Sequence, residues 1–246
     1  NSLTTVEDKD CDGIDSSNDC DDDDQELYAD IDGDGECDSP ICEGDYLIEN
    51  LQDLEAIGHC VEIMGNLWII NSNLSHVNPL HNLRIVHQNL EITGNPIENL
   101  NGLNSLEHIG KTFGIGNNNA LVDLRGLESL QTVGEDDPFG MNSLGIGNND
   151  ALESLQGLES LKEIGASLMI NGNQNLLSVD GLYSLESIGW DLFLSDNHAL
   201  TNIDGFSPLT YIGGYLQLTN NDSLVHINGL GSINIWQGIY IDQNEA

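Results

Sequence analysis

The chain has 246 residues, and 39% of them are hydrophobic, which suffices for the core of one or two domains. Five Lys and Arg residues stand against 42 Asp and Glu residues, and the formal charge of −37 argues against binding to nucleic acid or to an anionic membrane. No apolar run approaches the roughly 18 residues that a membrane span needs, so we expect no membrane insertion. Divalent cations are the expected partners of so acidic a chain.

The acidic N-terminal segment, residues 1–41, has the spacing of calcium-binding loops. Such a loop takes oxygen ligands from alternating positions and from its last position, around a turn glycine that is Gly13 here. A second loop, with turn glycine Gly35, lacks an acid at its last position, so we expect Asp38 or the acidic run 21–24 to complete its shell. We expect Ca²⁺ to order the segment, and the alternative is a disordered acidic tail. The predicted ligands are Asp8, Asp10, Asp12, Ile14 through its carbonyl, Asp19, Asp30, Asp32, Asp34, Glu36 and Asp38.

The five cysteines all lie at or before residue 60, among these loops, which favours an oxidising compartment. With the elements Asn18-Asp-Cys20 and Cys37-Asp38, the D-x-D-x-D-G loops resemble a thrombospondin type 3 repeat, an extracellular calcium-wrapped module. The resemblance implies a disulfide between Cys20 and Cys37. Cys11 stands where that family has a glycine or another residue, and its pairing with Cys20 or with another chain stays open.

A repeat organises the rest of the chain, since Leu168, Leu192 and Leu216 begin equivalent segments 24 residues apart. Each segment has two apolar residues separated by one residue, the alternation of a strand with one buried face. Because such a coil buries its apolar face only against its neighbours, the predicted fold class is mainly β, a leucine-rich-repeat or β-helix-like solenoid of about eight coils. The predicted strands begin at Leu67, Leu90, Phe113, Leu144, Leu168, Leu192, Leu216 and Ile239.

In seven of the eight strands an Asn lies three residues after the second apolar position, and in the first strand Ser72 holds this position. A buried amide has donors and acceptors for the turn backbones of adjacent coils, so we expect an inward Asn ladder. The alternative is glycosylation or ligand contact, and on the ladder reading the glycosylation sequon at Asn221 is coincidental. The ladder positions are Ser72, Asn95, Asn118, Asn149, Asn173, Asn197, Asn221 and Asn244.

Two cysteines, Cys42 and Cys60, flank the first coil, and residues 42–246 resemble a receptor L domain, the leucine-rich, β-helix-like module of receptor ectodomains. The resemblance implies that these two cysteines form a disulfide cap. It also implies ligand binding or adhesion outside a cell, without catalytic residues. The seven His residues fall at unrelated phases of the repeat, so we expect neither a His metal cluster nor an enzyme.

Two features depart from what the repeat requires. The coil between Gly134 and Gly165 is longer than its neighbours, and its extra residues include the binding candidates Phe139 and Met141; a harmless surface bulge is the alternative. An outward apolar strip marks a protein, carbohydrate or self-association surface, unless its side chains simply stack for stability. The strip consists of Met169, Trp190, Phe193, Tyr215 and Tyr240.

Residues 239–246 have the pattern of the first third of a coil, and residues 2–8 that of a last third. This indicates a piece of a longer array or a subunit that stacks on another. The leading hypothesis is a calcium-stabilised binding or adhesion module, secreted or on the cell surface, whose partner is a protein or carbohydrate. The alternative is a structural subunit of an extracellular filament, assembled head-to-tail through the solenoid ends.

Overall fold

A computed structural model of the protein describes residues 41–134, 143–231 and 233–244. The calcium ligands predicted between Asp8 and Asp38, the cysteines Cys11, Cys20 and Cys37, and the insertion residues Phe139 and Met141 lie outside these ranges. None of the helices in the described part of the chain is long and apolar enough to cross a membrane.

The described residues form a solenoid of two parallel sheets, with one strand of each sheet in every coil. In chain order the strands are β1 (Ile41–Cys42), β2 (Tyr46–Ile48), β3 (Glu62–Ile63), β4 (Leu67–Ile70), β5 (Ile85–Val86), β6 (Leu90–Thr93), β7 (His108–Ile109), β8 (Phe113–Gly116), β9 (Thr132–Val133), β10 (Ser143–Gly147), β11 (Glu163–Ile164), β12 (Ser167–Asn171), β13 (Ser187–Ile188), β14 (Leu192–Ser195), β15 (Tyr211–Ile212), β16 (Tyr215–Thr219), β17 (Asn234–Ile235) and β18 (Gly238–Asp242). The odd-numbered strands form the short-strand sheet, and the even-numbered strands form the long-strand sheet.

Among the described residues, helical structure is limited to short segments between the strands. A six-residue helix, α1 (Leu51–Ala56), lies in the first coil. Single 3₁₀ turns follow the long strands of four coils, at Asn78–Leu80, Asp180–Leu182, Asp204–Phe206 and Asn228–Leu230. The predicted fold class, a mainly β solenoid of about eight coils, is confirmed.

The core is a stack of the predicted apolar pairs. The side chains of Leu168 and Ile170 are fully buried, and so are the equivalent pairs in the other coils from Leu67 to Leu218. All eight predicted strands are present, and β2 adds a ninth strand to the long-strand sheet. The pair in β18 differs, because Ile239 and Ile241 are 62% and 49% exposed and no further coil covers them among the described residues.

The Asn ladder is confirmed, and it connects each coil to both of its neighbours. The Oδ1 of Asn173 accepts a hydrogen bond from the backbone N–H of Asn149, at 3.1 Å, and its Nδ2 donates to the carbonyl oxygen of Ile146, at 2.9 Å. The same two bonds recur for the ladder residues from Asn95 to Asn244. Asn221, the sequon residue, is fully buried. These amides satisfy turn groups that stacking would otherwise bury without a partner.

A second polar ladder, which the sequence analysis missed, runs along the opposite corner just before the long strands. Asp45 accepts from the backbone N–H and the side-chain amide of Asn66, both at 2.7 Å. Asn66 accepts in the same way from Asn89, whose Oδ1 accepts from the N–H of Thr112. Two hydrogen bonds from Asn66 lower the pKa of Asp45 below its usual value of 3.8, and the bond from the Asn66 backbone N–H has the larger effect. This ladder joins the residues that directly precede β2, β4, β6 and β8.

Glycines allow the corners of adjacent coils to approach each other. A Cβ on Gly189 would overlap the carbonyl oxygen of Gly165, and a Cβ on Gly213 would overlap that of Gly189. These corner glycines are therefore structural, because a larger residue there would push the coils apart.

The N-terminal end of the described solenoid is closed by α1 and a disulfide. Asn50 caps the helix, since its Oδ1 accepts from the N–H groups of Gln52 and Asp53, and the Asp53 carboxylate accepts from the N–H of Asn50. Leu54 packs into the core from the helix. The predicted disulfide between Cys42 and Cys60 is present. It links β1 to the segment between α1 and β3, the strand that pairs with β1.

Candidate ligand-binding surface

The outward face of the long-strand sheet presents two columns of side chains, because alternate residues of each strand point away from the core. The strands are in register, so each column crosses the stack without a break. The first column contains Leu47, Trp68, Glu91, Gly114, Gly145, Met169, Phe193, Gln217 and Tyr240. The second contains Ile70, Thr93, Gly116, Gly147, Asn171, Ser195, Thr219 and Asp242.

Four glycines form a bare patch at the centre of this face, and we call it the glycine floor: Gly114, Gly116, Gly145 and Gly147. They pair with each other in β8 and β10, two glycines on each strand. None of the four has a positive φ. A Cβ on Gly145 would meet nothing within 4 Å, and a Cβ on any of the other three would make ordinary contacts of 3.4–3.5 Å. Unlike the corner glycines, these residues are therefore not required by the backbone or by the packing of the coils.

Side chains on the flanking strands turn the glycine floor into a groove of about 280 Å³. One wall is formed by Glu91 and Thr93 of β6, and the other by Met169 and Asn171 of β12. Asn117 and Asn148, which follow β8 and β10 in left-handed conformation with φ of 55° and 54°, lie at one end. The side-chain amides of Asn117, Asn148 and Asn171 make no hydrogen bond within the described chain, so they are available to a ligand.

Glu91 is the one charged side chain in the outward columns between Trp68 of β4 and Ser195 of β14, all of which are described. Its Oε1 accepts a hydrogen bond from the hydroxyl of Thr93 at 3.3 Å, and its Cγ lies 3.4 Å from where a Cβ of Gly114 would be. Glu91 is half-buried and has no cationic partner among the described residues. The carboxylate therefore lies at the edge of the floor without a charge to balance it.

The structure brings together part of the predicted apolar strip. Met169 and Phe193 are neighbours in the first column, and both are half-buried. Tyr240 is separated from them by Gln217, and its hydroxyl donates to Asp242 at 3.2 Å. The charge of Asp242 and this hydrogen bond raise the pKa of Tyr240. Trp190 precedes β14, whereas Tyr215 is the first residue of β16 and pairs with Gly238 of β18. The candidates thus comprise Met169 and Phe193 beside the groove and three aromatic residues elsewhere on the solenoid.

Carboxylates from three coils line a second groove among the described residues. A groove of about 520 Å³ beside the short-strand sheet contains Glu107, Glu128 and Glu159, each from a different coil. Glu107 accepts a two-oxygen ion pair from Arg84, at 2.9 and 3.1 Å. Glu128 and Glu159 each accept from a backbone N–H of their own turns. These carboxylates stabilise loops. Three serines, Ser129, Ser160 and Ser184, also line the groove, and the hydroxyl of Ser129 donates to the Asn104 carbonyl oxygen at 2.6 Å.

His59 lies beside the disulfide, with its Nε2 3.5 Å from Cys42 Sγ and 3.9 Å from Cys60 Sγ. The three residues have metal-ligand geometry, but the sulfurs are joined to each other and are not thiolates. Two further His residues pair with acids across coils, at 2.9 Å for His87 with Glu62 and 2.8 Å for His198 with Asp222. The expectation that the His residues form no shared metal cluster stays a prediction.

Sequence reasoning did not identify Gly116, Gly147 or the role of Glu91 as a wall. The signal was present, since the segments 113–117 and 144–148 share the pattern G-I-G-N after their first apolar residue. Four glycines in two strands become one site only when the register of β8 and β10 places them side by side.

A family model described as the receptor L domain matches residues 84–189. The match runs from the residue before β5 to the residue after β13, so it includes the glycine floor and both of its walls. Phe193, Tyr215 and Tyr240 lie beyond it. No curated protein matches the chain. Receptor L domains are binding domains and are typically extracellular.

Proposed function

We propose, from the similarity of residues 84–189 to receptor L domains, that this protein is a non-enzymatic extracellular module that binds a protein ligand through the outward face of its long-strand sheet. The single observation that carries this assignment of the face is the glycine floor. The disulfide between Cys42 and Cys60 supports an extracellular location, because such bonds persist in oxidising compartments.

The glycine floor supports a binding role because glycine within a strand is costly unless something needs the space. Replacing an exposed strand residue by glycine costs about 0.5–1 kcal/mol in conformational entropy. Corner glycines such as Gly189 offset this cost by allowing coils to stack, whereas Gly145 faces open space. Glycine inside a strand often marks the close approach of a ligand or another backbone. A rigid sheet also holds the flanking side chains in fixed positions, as a binding site requires.

Binding of a panel of secreted proteins and receptor ectodomains to the purified 246-residue chain tests this proposal. We expect saturable binding to at least one member, and we expect Gly145→Val to reduce it at least about tenfold by filling the floor. Ser187→Val is the matched control, since Ser187 faces outward on the short-strand sheet and not on the face that carries the glycine floor. Saturable binding to none of the panel, or an equal loss in both variants, contradicts the proposed face.

Carbohydrate is the other ligand class expected from the sequence. A glycan array probed with the same two variants distinguishes it from a protein ligand. Binding to glycans that Gly145→Val removes, with no binding to any protein of the panel, would replace the protein ligand by a carbohydrate.

We also propose that the acidic segment binds Ca²⁺ through Asp8, Asp10, Asp12, Asp19 and the second loop from Asp30 to Asp38. Support comes from the sequence: oxygen ligands at alternating positions, a turn glycine in each loop and a large excess of acids. Titration calorimetry of the chain should detect calcium binding, and replacing Asp8, Asp10 and Asp12 with Asn should remove at least one site. Identical heats of calcium binding for the original chain and this triple variant would contradict calcium binding by the first loop.

Self-association through the solenoid ends is a second candidate function. The observation in its favour is the exposure of Ile239 and Ile241, apolar residues that equivalent coils bury. A second copy would cover them, and so would residues that follow in a longer protein. Sedimentation velocity with calcium and with chelator tests the filament, and a monomer under both conditions removes it.

A further inference from the structure

The groove over the glycine floor has the dimensions of a site for a narrow, extended chain. Its floor is two strands wide, and its walls rise from β6 and β12, which lie three strand spacings or roughly 14 Å apart. The side chains of Glu91 and Met169 occupy part of this width. An α-helix with its side chains is about 10–12 Å across, so the walls would hold it away from the floor.

An extended ligand backbone can approach a sheet most closely where the outward residues of the sheet are glycines. Two surfaces that both carry side chains stay about 10 Å apart. Removing the Cβ atoms at Gly114, Gly116, Gly145 and Gly147 permits a closer approach, which benefits a backbone more than another set of side chains. The volume of about 280 Å³ is just below the range of about 300–1,000 Å³ typical of enclosed small-molecule sites, and the groove is open. It fits a short segment of a larger ligand.

The negative charge of the groove favours a ligand segment that carries a basic residue. Glu91 has no cationic partner among the described residues, and no other charge lies in the outward columns from β4 to β14. The whole chain carries a formal charge of −37, which attracts cations at long range. A Lys or Arg of the ligand would pair with Glu91, and an apolar side chain would find Met169 and Phe193 on the opposite side.

From this combination we propose that the groove binds an extended polypeptide segment that carries a Lys or Arg, with its cation on Glu91 and an apolar side chain against Met169 and Phe193. The side-chain amides of Asn117, Asn148 and Asn171 form hydrogen bonds with the backbone of that segment. This inference rests on the proposed function and adds to it the chemistry of the bound segment.

The test is a phage-displayed library of random linear 12-residue peptides, panned against the immobilised chain. Enriched peptides should contain Lys or Arg together with an apolar residue. Binding of a selected synthetic peptide should fall about tenfold or more in both Gly145→Val and Glu91→Gln, and it should be unchanged in Ser187→Val. Exchange of the two charges, Glu91→Lys with a peptide whose basic residue is changed to Glu, should restore at least part of the binding.

The outcomes separate this inference from the proposed function. If ectodomains bind through Gly145 but no linear peptide is enriched, the extended segment is wrong and the protein ligand stands. If enriched peptides lack a cation, or bind Glu91→Gln as well as the original chain, the role of Glu91 is wrong. If neither ectodomains nor peptides bind, both proposals fail. Circular dichroism of each variant confirms that the solenoid is folded, and Gly145 has space for the added side chain.

Discussion

The side-chain amide of Asn173 donates a hydrogen bond to the carbonyl oxygen of Ile146, 2.9 Å away in the preceding coil. Asn173 is fully buried, and its Oδ1 also accepts from the backbone N–H of Asn149. One side chain thus satisfies two backbone groups that no water can reach. The ladder is therefore the element on which the stacking of coils depends most directly.

Replacement of Asn173 with Ala should destabilise the solenoid strongly. It leaves the Ile146 carbonyl and the Asn149 N–H buried without partners, and each such group costs about 1–3 kcal/mol. We expect the free energy of unfolding to fall by about 3 kcal/mol, measured by chemical denaturation followed by circular dichroism. Asn175→Ala is the control, because Asn175 is exposed and bonds only the Asp150 carbonyl, at 2.8 Å. Equal effects of the two variants would contradict the ladder as a source of stability.

Two glycine-to-alanine substitutions should have opposite effects on stability. Gly145→Ala adds a methyl group in open space and should raise the free energy of unfolding by about 0.5–1 kcal/mol. Gly189→Ala places a methyl group on the Gly165 carbonyl oxygen and should lower it by about 2 kcal/mol, since the coils must separate. Thermal and chemical denaturation of both variants check this. Destabilisation by Gly145→Ala would show that the floor glycines are structural and would weaken their use as evidence for a ligand.

Loss of the disulfide should destabilise the N-terminal end. Cys42 and Cys60 are 18 residues apart, and a loop of this length corresponds to about 3 kcal/mol in the chain-entropy model. The double variant Cys42→Ser with Cys60→Ser should show this loss in chemical denaturation. Hydrogen exchange should place the loss in α1 and β1 to β4, which the disulfide and helix join. Uniformly unchanged protection in those elements would contradict the cap.

The two N-x-S sequons of the described chain should differ when the protein is secreted from a eukaryotic host. Asn73 is exposed, in a left-handed turn with φ of 54°, and its side chain has no hydrogen-bond partner within the described residues. Asn221 is fully buried, with its amide bonded to the Leu194 carbonyl at 3.1 Å. We expect a glycan on Asn73 only. Mass spectrometry should find it removed by Ser75→Ala and kept in Ser223→Ala. Glycan on Asn221 of the folded, secreted protein would contradict the buried ladder.

The sequence by itself determined the fold. The spacing of Leu168, Leu192 and Leu216, the alternation of their partners and the recurring Asn are each local patterns, and each has one physical use in a stacked coil. Burial of these residues follows because a coil has no other place for them. The pairing of Cys42 with Cys60 was reached through the family resemblance, and the structure bears it out.

Only the tertiary structure decided where the candidate site lies. Gly116 and Gly147 are ordinary glycines in the sequence, and they join Gly114 and Gly145 in a floor because β8 and β10 pair in register across a long insertion. Likewise the apolar strip divides, because Gln217 separates Phe193 from Tyr240. A surface depends on which residues of distant segments become neighbours and on what they leave unfilled. Repeat spacing determines approximately which residues become neighbours. The space that they leave unfilled depends on the position of every side chain around the groove.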